Sequence, residues 1–442
     1  MRTFTFKGLF LTAVFMLLGC LSIQAADDDL ITKQITIKLD EAGTLPDRIG
    51  SSKKYLITNL KLVGEINGTD FRMIREMAGS DYYGGSTEGN LSVLDLSEAK
   101  IVIGGGDYFN GYSCYTSNDV IGNRAFNGCS RLTSLNLPAS ITRIGDYAFY
   151  CCSGLTSLTL PAGITEIGYS AFCGCSGLTS LNLPAGITSI GDDAFYGCSG
   201  LTSITLPAGI TEIGGSAFNG CSRLTSLTLP AGITSIGGGA FYGCSGLTSL
   251  NLPAGITEIG GGAFGFCSGL TSINLPAGIT SIGEYAFYGC SGLTSVTLPA
   301  GITEIGECAF YGCSGLTSVT LPAGLTQIDD YAFSECSGLT SIYVYSDKVP
   351  KMGSDVFYDV DKKNCTLYVP QGTKQDYFLA DVWGDFENIV EFDATGIDKT
   401  TTSTDAKEVS RYSVNGQRLV GQTKGLNIVK YSDGTVKKVA VE

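Results

Sequence analysis

Hydrophobic and polar positions follow a 23-residue pattern that recurs through the middle of the chain. The unit has the form LTSLxLPAGITxIGxxAFxGCSG, begins at Leu132, and is present in nine full copies before the pattern decays after Leu339. A fixed period in the twenties is typical of a solenoid, in which each unit buries its apolar side only against its neighbours. The sequence therefore predicts a linear core rather than a compact one.

Each unit predicts a short strand followed by turns. In the opening LTSLNL, leucines alternate with Ser, Asn or Thr, which places Leu inward and the polar residues outward. The next residue is a proline, such as Pro138, which cannot donate to a β-ladder and ends the strand. The segment GITxIG adds two inward isoleucines and a possible second short strand. The segment AFxGC predicts a helical or 3-10 turn that directs Ala, Phe and Cys inward.

Non-repeating segments flank the repeats and predict caps, because a terminal repeat would otherwise expose its core. Two alternating segments and a helix over 70–79, with Asp70 as its candidate N-cap, precede the repeats. A Thr-rich linker and two hairpin signals, Asn-Gly and Asp-Gly, follow them. The predicted division is 1–26 signal peptide, 27–90 N-terminal capping subdomain, 91–346 repeat solenoid, 347–393 C-terminal cap, 394–407 linker and 408–442 small β-module.

The N-terminus predicts export. Arg2 and Lys7 precede an apolar run that ends at Leu21 and is too short to span a bilayer stably. Two processing routes remain open: cleavage of an ordinary signal after IQAA, which ends at Ala26, or processing at LLGC with lipidation of Cys20. We therefore expect a protein at the cell surface or outer membrane, or secreted, which touches a membrane only if Cys20 carries a lipid anchor.

Composition excludes several classes of chemistry. The chain has a formal net charge of −14, which argues against nucleic acid as a partner because phosphate binding needs clustered Lys and Arg. It contains no histidine, which removes histidine-based acid–base catalysis and metal ligation. The glycine runs lack the GK[ST] of a phosphate loop. We predict no catalytic residues, no metal site, no cofactor and no enzymatic activity.

The sixteen cysteines suggest disulfides at first sight, since the protein is expected to be exported. Ten of them, from Cys129 to Cys336, share one position of the repeat. Their side chains should point the same way, whereas a disulfide needs two Cβ atoms facing each other at about 3.8 Å. We therefore predict small buried hydrophobic residues rather than a disulfide ladder. No paired CxxC spacing indicates zinc.

The repeat over 120–338 resembles the BspA-like leucine-rich-repeat proteins, the treponeme-type 23-residue repeat, and the flanks Asn67–Val102 and 366–392 are similar to that family's approach and closing segments. The resemblance implies a curved, right-handed leucine-rich-repeat coil with a parallel β-sheet face and short helical or 3-10 turns, capped at both ends. The tail after residue 408 is similar to C-terminal sorting modules of proteins exported across Bacteroidetes-type outer membranes. The family implies an adhesin that binds host matrix proteins or other cells.

The outward positions of the strands are the candidate binding face. They form two rows of small neutral polar side chains, which suit an extended polypeptide or glycan, although Ser and Thr also simply suit an exposed strand. Host matrix or cell-surface macromolecules are the expected partners, protein more than glycan; the alternatives are a structural, self-assembling envelope protein and a glycan-binding module. The candidate residues are Ser134, Asn136, Ser157, Thr159, Ser180, Asn182, Ser203, Thr205, Ser226, Thr228, Ser249, Asn251, Ser272, Asn274, Ser295 and Thr297.

Overall fold

A computed structural model describes residues 29–394, 408–413, 418–419, 424–431 and 436–441. The predicted signal peptide with Cys20, and all but the first residue of the predicted linker, lie outside these ranges. Over the described repeats the chain forms a solenoid of parallel strands with little helix, which confirms the predicted fold class.

The N-terminal segment already belongs to the parallel sheet. It contains β1 (Ile35–Leu39), α1 (Leu45–Ile49), β2 (Asn59–Ile66), α2 (Gly68–Met77) and β3 (Val93–Ile101), and the three strands pair in parallel in the order β1-β2-β3. The prediction of Asp70 as N-cap was wrong. Asn67 caps α2 by accepting from the Thr69 N–H at 3.0 Å, while the Asp70 carboxylate accepts from the Asn67 N–H at 2.9 Å, so Asp70 is the third residue of a capping box.

Each full repeat contributes one strand of two residues, and each except the repeat that begins at Leu224 also contributes one of three or four residues, as the sequence predicts. In chain order the strands are β4 (Val120–Ile121), β5 (Ser134–Asn136), β6 (Arg143–Ile144), β7 (Ser157–Thr159), β8 (Glu166–Ile167), β9 (Ser180–Asn182), β10 (Ser189–Ile190), β11 (Ser203–Thr205), β12 (Glu212–Ile213), β13 (Ser235–Ile236), β14 (Ser249–Asn251), β15 (Glu258–Ile259), β16 (Ser272–Asn274), β17 (Ser281–Ile282), β18 (Ser295–Thr297), β19 (Glu304–Ile305), β20 (Ser318–Leu321), β21 (Gln327–Ile328), β22 (Ser341–Val344) and β23 (Lys351–Met352).

The strands stack in two parallel columns. The column of longer strands consists of three sheets. The first is β1-β2-β3-β5-β7 and the second is β9-β11. The third is β14-β16-β18-β20-β22, which continues into β24 (Thr366–Pro370) and β25 (Asn388–Phe392). The column of two-residue strands runs β4-β6-β8, β10-β12-β13-β15 and β17-β19-β21-β23. Within the repeats, each pair in these columns joins equivalent positions, so like residues lie beside like residues.

The AFxGC segments form consecutive turns rather than regular helix, which corrects the expected helical or 3-10 turns. Within one turn the Cys152 N–H donates to the Phe149 carbonyl at 3.1 Å, three residues back. Two positions per turn adopt positive φ, as at Tyr147 (φ 54°) and Cys151 (φ 55°), and these left-handed residues prevent a continuous helix. We name the stack of these segments the turn column.

Rows of identical side chains fill the core. The Phe rings from Phe126 to Phe333 are fully buried, and each stacks on the next at 5.1–5.6 Å between centroids. The cysteine row is buried beside them, and from Cys152 onward each thiol reaches a Phe carbonyl of the preceding repeat, as Cys152 Sγ does to Phe126 at 3.0 Å. All fifteen described cysteines are free thiols, in agreement with the prediction for the row.

The C-terminal end covers this core with aromatic residues. After β24 come α3 (Lys374–Leu379) and a 3-10 turn (Trp383–Asp385). Trp383 is fully buried, lies 5.5 Å from Phe357 between ring centroids, and donates its indole N–H to the Pro350 carbonyl at 3.4 Å. The chain's only tryptophan therefore closes the phenylalanine row.

The described parts of the tail form a separate antiparallel sheet. Its strands are β26 (Glu408–Ser413), β27 (Arg418–Leu419), β28 (Gly425–Tyr431) and β29 (Val436–Val441), in the order β27-β26-β28-β29. The antiparallel pairs β26–β27 and β28–β29 agree with the two predicted hairpins, Asn415-Gly416 and Asp433-Gly434, whose turn residues lie outside the described ranges.

Candidate binding surface

The structure places most of the predicted face residues in two straight rows. Ser134 lies beside Ser157 and Asn136 beside Thr159 in the β5–β7 pair. The same register pairs Ser180 with Ser203 in β9–β11, and it recurs through β14, β16 and β18. Apart from Ser134, which is half-buried, these side chains are exposed, while the residue between each pair of rows is buried. We name the two rows together the polar face.

The polar face is interrupted at one repeat, which corrects part of the prediction. Ser226 and Thr228 are exposed, but residues 224–230 form no strand, and the sheet stops between β11 and β14. Arg223 precedes this segment where most repeats have glycine, but Arg131 holds the same position before β5, which forms and pairs with β3 and β7. The residue at this position therefore does not by itself account for the missing strand.

A threonine row beside the polar face holds the repeats together. The hydroxyl of Thr156 donates to the Thr133 carbonyl at 3.1 Å, and that of Thr202 donates to the Thr179 carbonyl at 3.0 Å. The sequence analysis did not single out these residues. Their signal was present, since Thr is invariant at this position of the full repeats while the outward residue three places later varies between Asn and Thr. The threonine hydroxyls are engaged within the solenoid, whereas the serine row beside them faces solvent.

The polar face changes character at its two ends. At the N-terminal end Lys61 forms ion pairs with Asp95 at 3.6 Å and Glu98 at 2.6 Å. At the C-terminal end Tyr343 and Tyr368 continue the row of Thr320 and stack at 4.4 Å between ring centroids. The aromatic end lies beyond the exact repeats, so the pattern that predicted the rest of the face gave no signal for it.

Tyrosines on the turn column are partly exposed and partly packed on one another. Tyr196 is 44% exposed, whereas Tyr288 and Tyr311 stack at 4.9 Å between centroids. Tyrosine hydroxyls of the turn column bind carboxylates of the following repeat. Tyr311 donates to Glu335. Tyr169, at a different position of the repeat, donates to Asp193 at 2.7 Å, and this bond raises the pKa of Tyr169 to about 12.

The described residues contain little that indicates catalysis. No group of three His, Cys, Asp or Glu side chains among them is placed to hold a metal ion. Burial raises the pKa of Cys129 to about 11 and that of Cys198 to about 12, which keeps these thiols protonated and unreactive near neutral pH. Within the described ranges no helix is long and apolar enough to cross a membrane.

The family model for the BspA type leucine-rich repeat region matches residues 111–199, 165–280 and 257–375, with six copies of the repeat. These segments together span more than half of the chain. The chain belongs to the BspA-type leucine-rich-repeat family. None of the curated proteins matches its sequence significantly.

Solved structures of bacterial leucine-rich-repeat proteins are similar to this BspA-type chain. A leucine-rich repeat protein from Bacteroides ovatus is 25% identical over 68% of this chain and 84% of its own, with a TM-score of 0.48. A leucine-rich cell surface protein from Faecalibacterium prausnitzii is 26% identical over 70% and 87%, with a TM-score of 0.36. The leucine-rich repeat protein of T. pallidum is 28% identical over 39% and 72%, with a TM-score of 0.29.

Proposed function

We propose that this BspA-type protein is an exported, non-enzymatic surface adhesin that binds host matrix proteins or macromolecules of other cells through its polar face. The observation that carries the proposal is the register of the face. Ser249, Ser272 and Ser295 lie in line on consecutive strands, with Asn251, Asn274 and Thr297 in the parallel row. Such a surface offers the same contact once in every repeat.

The chemistry of the face suits an extended polypeptide. Its hydroxyl and amide groups both donate and accept hydrogen bonds, and they carry no charge that would demand a partner of one sign. One such contact is weak in water, but contacts repeated along a rigid array add through multivalency. The aromatic end, with Tyr345 37% exposed, supplies a side-chain type that is enriched where proteins bind proteins.

Export completes the proposal. We propose that residues 1–26 are removed as a signal or processed to a lipidated Cys20, and that 408–442 act as a sorting module after the 394–407 linker. Within the same proposal, 27–90 and 347–393 cap the 91–346 solenoid. Mass spectrometry of the protein from its native envelope separates a lipid-modified Cys20 from a mature N-terminus near Asp27.

The test measures binding of the mature full chain to immobilised matrix proteins, to a bacterial cell panel and to a glycan array. The face variant carries Asn182→Arg and Asn274→Arg, and the control carries Ser189→Arg and Ser281→Arg, which are exposed on the column of two-residue strands. We expect saturable binding that the face variant loses and the control keeps. Binding to glycans alone would favour a glycan-binding module instead of adhesion to proteins. Self-association of a folded protein that binds no ligand would favour a structural, self-assembling envelope protein. Equal loss in both variants would show that the polar face is not the binding surface.

A further inference from the structure

The backbone hydrogen bonds between successive turns of the turn column all point the same way along the solenoid. In each turn, alternate backbone N–H groups donate to carbonyls of the following turn, as Phe310 does to Ala332 at 2.8 Å. The last such bonds run from Phe333 to Val356 at 3.0 Å and from Glu335 to the next turn at 2.8 Å. The column therefore presents carbonyl acceptors at its N-terminal end and N–H donors at its C-terminal end.

The acceptor end is capped by a buried tyrosine and a buried arginine. The turn-to-turn acceptors of the first turn are the carbonyls of Asn123, Ala125 and Asn127, to which no earlier turn in the described ranges donates. The Tyr108 hydroxyl donates to Asn123 at 2.8 Å, and the Arg75 guanidinium donates to Ala125 at 3.4 Å and to the adjacent Arg124 carbonyl at 2.7 Å. The same guanidinium also donates to the Ser80 hydroxyl at 2.9 Å and to the Asp81 carbonyl at 3.2 Å. Burying a cation is costly unless it is hydrogen-bonded, and these bonds satisfy both terminal nitrogens of Arg75, whereas its Nε is buried without a partner among the described residues.

The donor end has no matching cap. In earlier turns, three backbone N–H groups donate to carbonyls of the following turn. In the last turn the equivalent N–H groups belong to Asp355, Phe357 and Asp359, and none of them has an acceptor within the described part of the chain. All three residues line an open cavity of about 460 Å³ at this end. Trp383 and Phe386 cover the Phe357 ring at 5.5 and 5.3 Å between centroids, so the apolar row is closed while the backbone donors are not.

The charges around this cavity select what can fill it. Its lining has five carboxylates, and the two ammonium groups are those of Lys362 and Lys363, of which the first already pairs with Asp385 at 3.0 Å. A free anion would meet the donors but would be repelled by this excess of negative charge. A ligand with neutral carbonyl acceptors and cationic side chains satisfies both features. Tyr358, 62% exposed at the rim, offers an aromatic face to such cations.

We propose that the C-terminal end of the turn column binds an extended, Lys- or Arg-rich polypeptide segment. Its carbonyls continue the turn-to-turn hydrogen bonds from the three open N–H groups, and its cationic side chains pair with the carboxylates of the cavity. This is a form of backbone addition to an open edge, with the main chain giving affinity and the side chains giving selectivity. The site is distinct from the polar face and does not depend on it.

The experiment measures binding of a short peptide of alternating Lys and Thr to the full chain, with a Gln-for-Lys peptide as the uncharged arm. The test variant carries Asp355→Asn and Asp359→Asn. These residues have φ of 52° and 60°, and Asn tolerates the left-handed region better than other non-glycine residues, so the backbone is preserved. The control carries Glu166→Gln and Glu212→Gln, which remove the same charge from exposed positions elsewhere.

We expect the test pair to weaken Lys–Thr peptide binding about fivefold to tenfold, which corresponds to two exposed charge contacts, and the control pair to change it by less than about twofold. Bound peptide should slow hydrogen exchange of the amides at 355, 357 and 359. Exchange that stays unchanged in the bound state would overturn the proposal, because charge attraction alone does not protect amides. Equal weakening of peptide binding by the test and control variants, or no binding of the peptide at all, would also overturn the proposal. These outcomes are independent of whether the polar face binds matrix proteins.

Discussion

Two glycines on either side of the same strand should respond oppositely to the same substitution. Gly200 precedes β11, and a Cβ there would lie 2.2 Å from the Ser176 carbonyl oxygen and 3.2 Å from that of Leu178. Gly209 follows the strand, and its nearest contact would be an ordinary 3.5 Å to the Ile187 carbonyl. We predict that Gly200→Ala destabilises the solenoid and that Gly209→Ala does not.

The magnitude follows from the contact distances. An ordinary carbon–oxygen contact is about 3.3 Å, so Gly200→Ala must separate the two repeats by about 1 Å. The Thr202 N–H and hydroxyl donate to the Thr179 carbonyl at 2.9 and 3.0 Å, and this shift would carry both beyond hydrogen-bonding distance. Losing these two hydrogen bonds costs about 1 kcal/mol each, and residual strain adds to this cost. Ala reduces the entropy of the unfolded chain relative to Gly, which offsets part of the cost, so the net loss of folding stability is about 2 kcal/mol.

Urea titration followed by circular dichroism measures this loss, and hydrogen exchange of the amides at 201–205 locates it. Gly209→Ala should leave the urea midpoint unchanged or raise it slightly, because its backbone conformation is open to any residue and the unfolded chain loses freedom. Equal effects of the two variants, or a neutral Gly200→Ala, would refute the argument that close carbonyl contact makes glycine necessary at position 200.

Two further predictions concern the repeats. Thr202→Val should cost about 0.5–1 kcal/mol in urea titration, whereas Ser203→Ala should cost almost nothing, since only the threonine hydroxyl binds the preceding repeat. Burial raises the pKa of Cys198 from 9.0 to about 12, so the folded state holds its proton while the unfolded state loses it, and stability should fall as pH rises from 9 towards 12. Cys198→Ala should remove about 1 kcal/mol of the loss between pH 9 and 10, and an identical pH profile would contradict this assignment.

The repeat could be predicted closely because every copy lies between two copies of itself. Leu135 is buried and Asn136 exposed for the same reason as their equivalents in β7 and β9, so alternation in one unit predicts the whole face. The same argument placed the Phe and Cys rows in the core. It failed at residues 224–230, where the pattern of hydrophobic positions is unchanged but no strand forms.

The ends could not be predicted as well. The helix cap at Asn67 escaped because Asn67 and Asp70 are both good capping residues, and only the geometry of the capping box separates their roles. Tyr343 and Tyr368 lie 25 residues apart, and nothing in the local sequence shows that they stack. In each case the deciding contact is with a residue outside the repeat.

The sequence alone determined the architecture, the buried rows and most of the polar face, because a constant period in sequence becomes a constant environment in space. The tertiary structure decided the polarity of the turn column, its cap by Tyr108 and Arg75 and its open donors at 355–359. These features depend on which backbone group lies next to which across a gap of 20 residues or more, and side-chain patterns carry no record of hydrogen bonds made by the main chain.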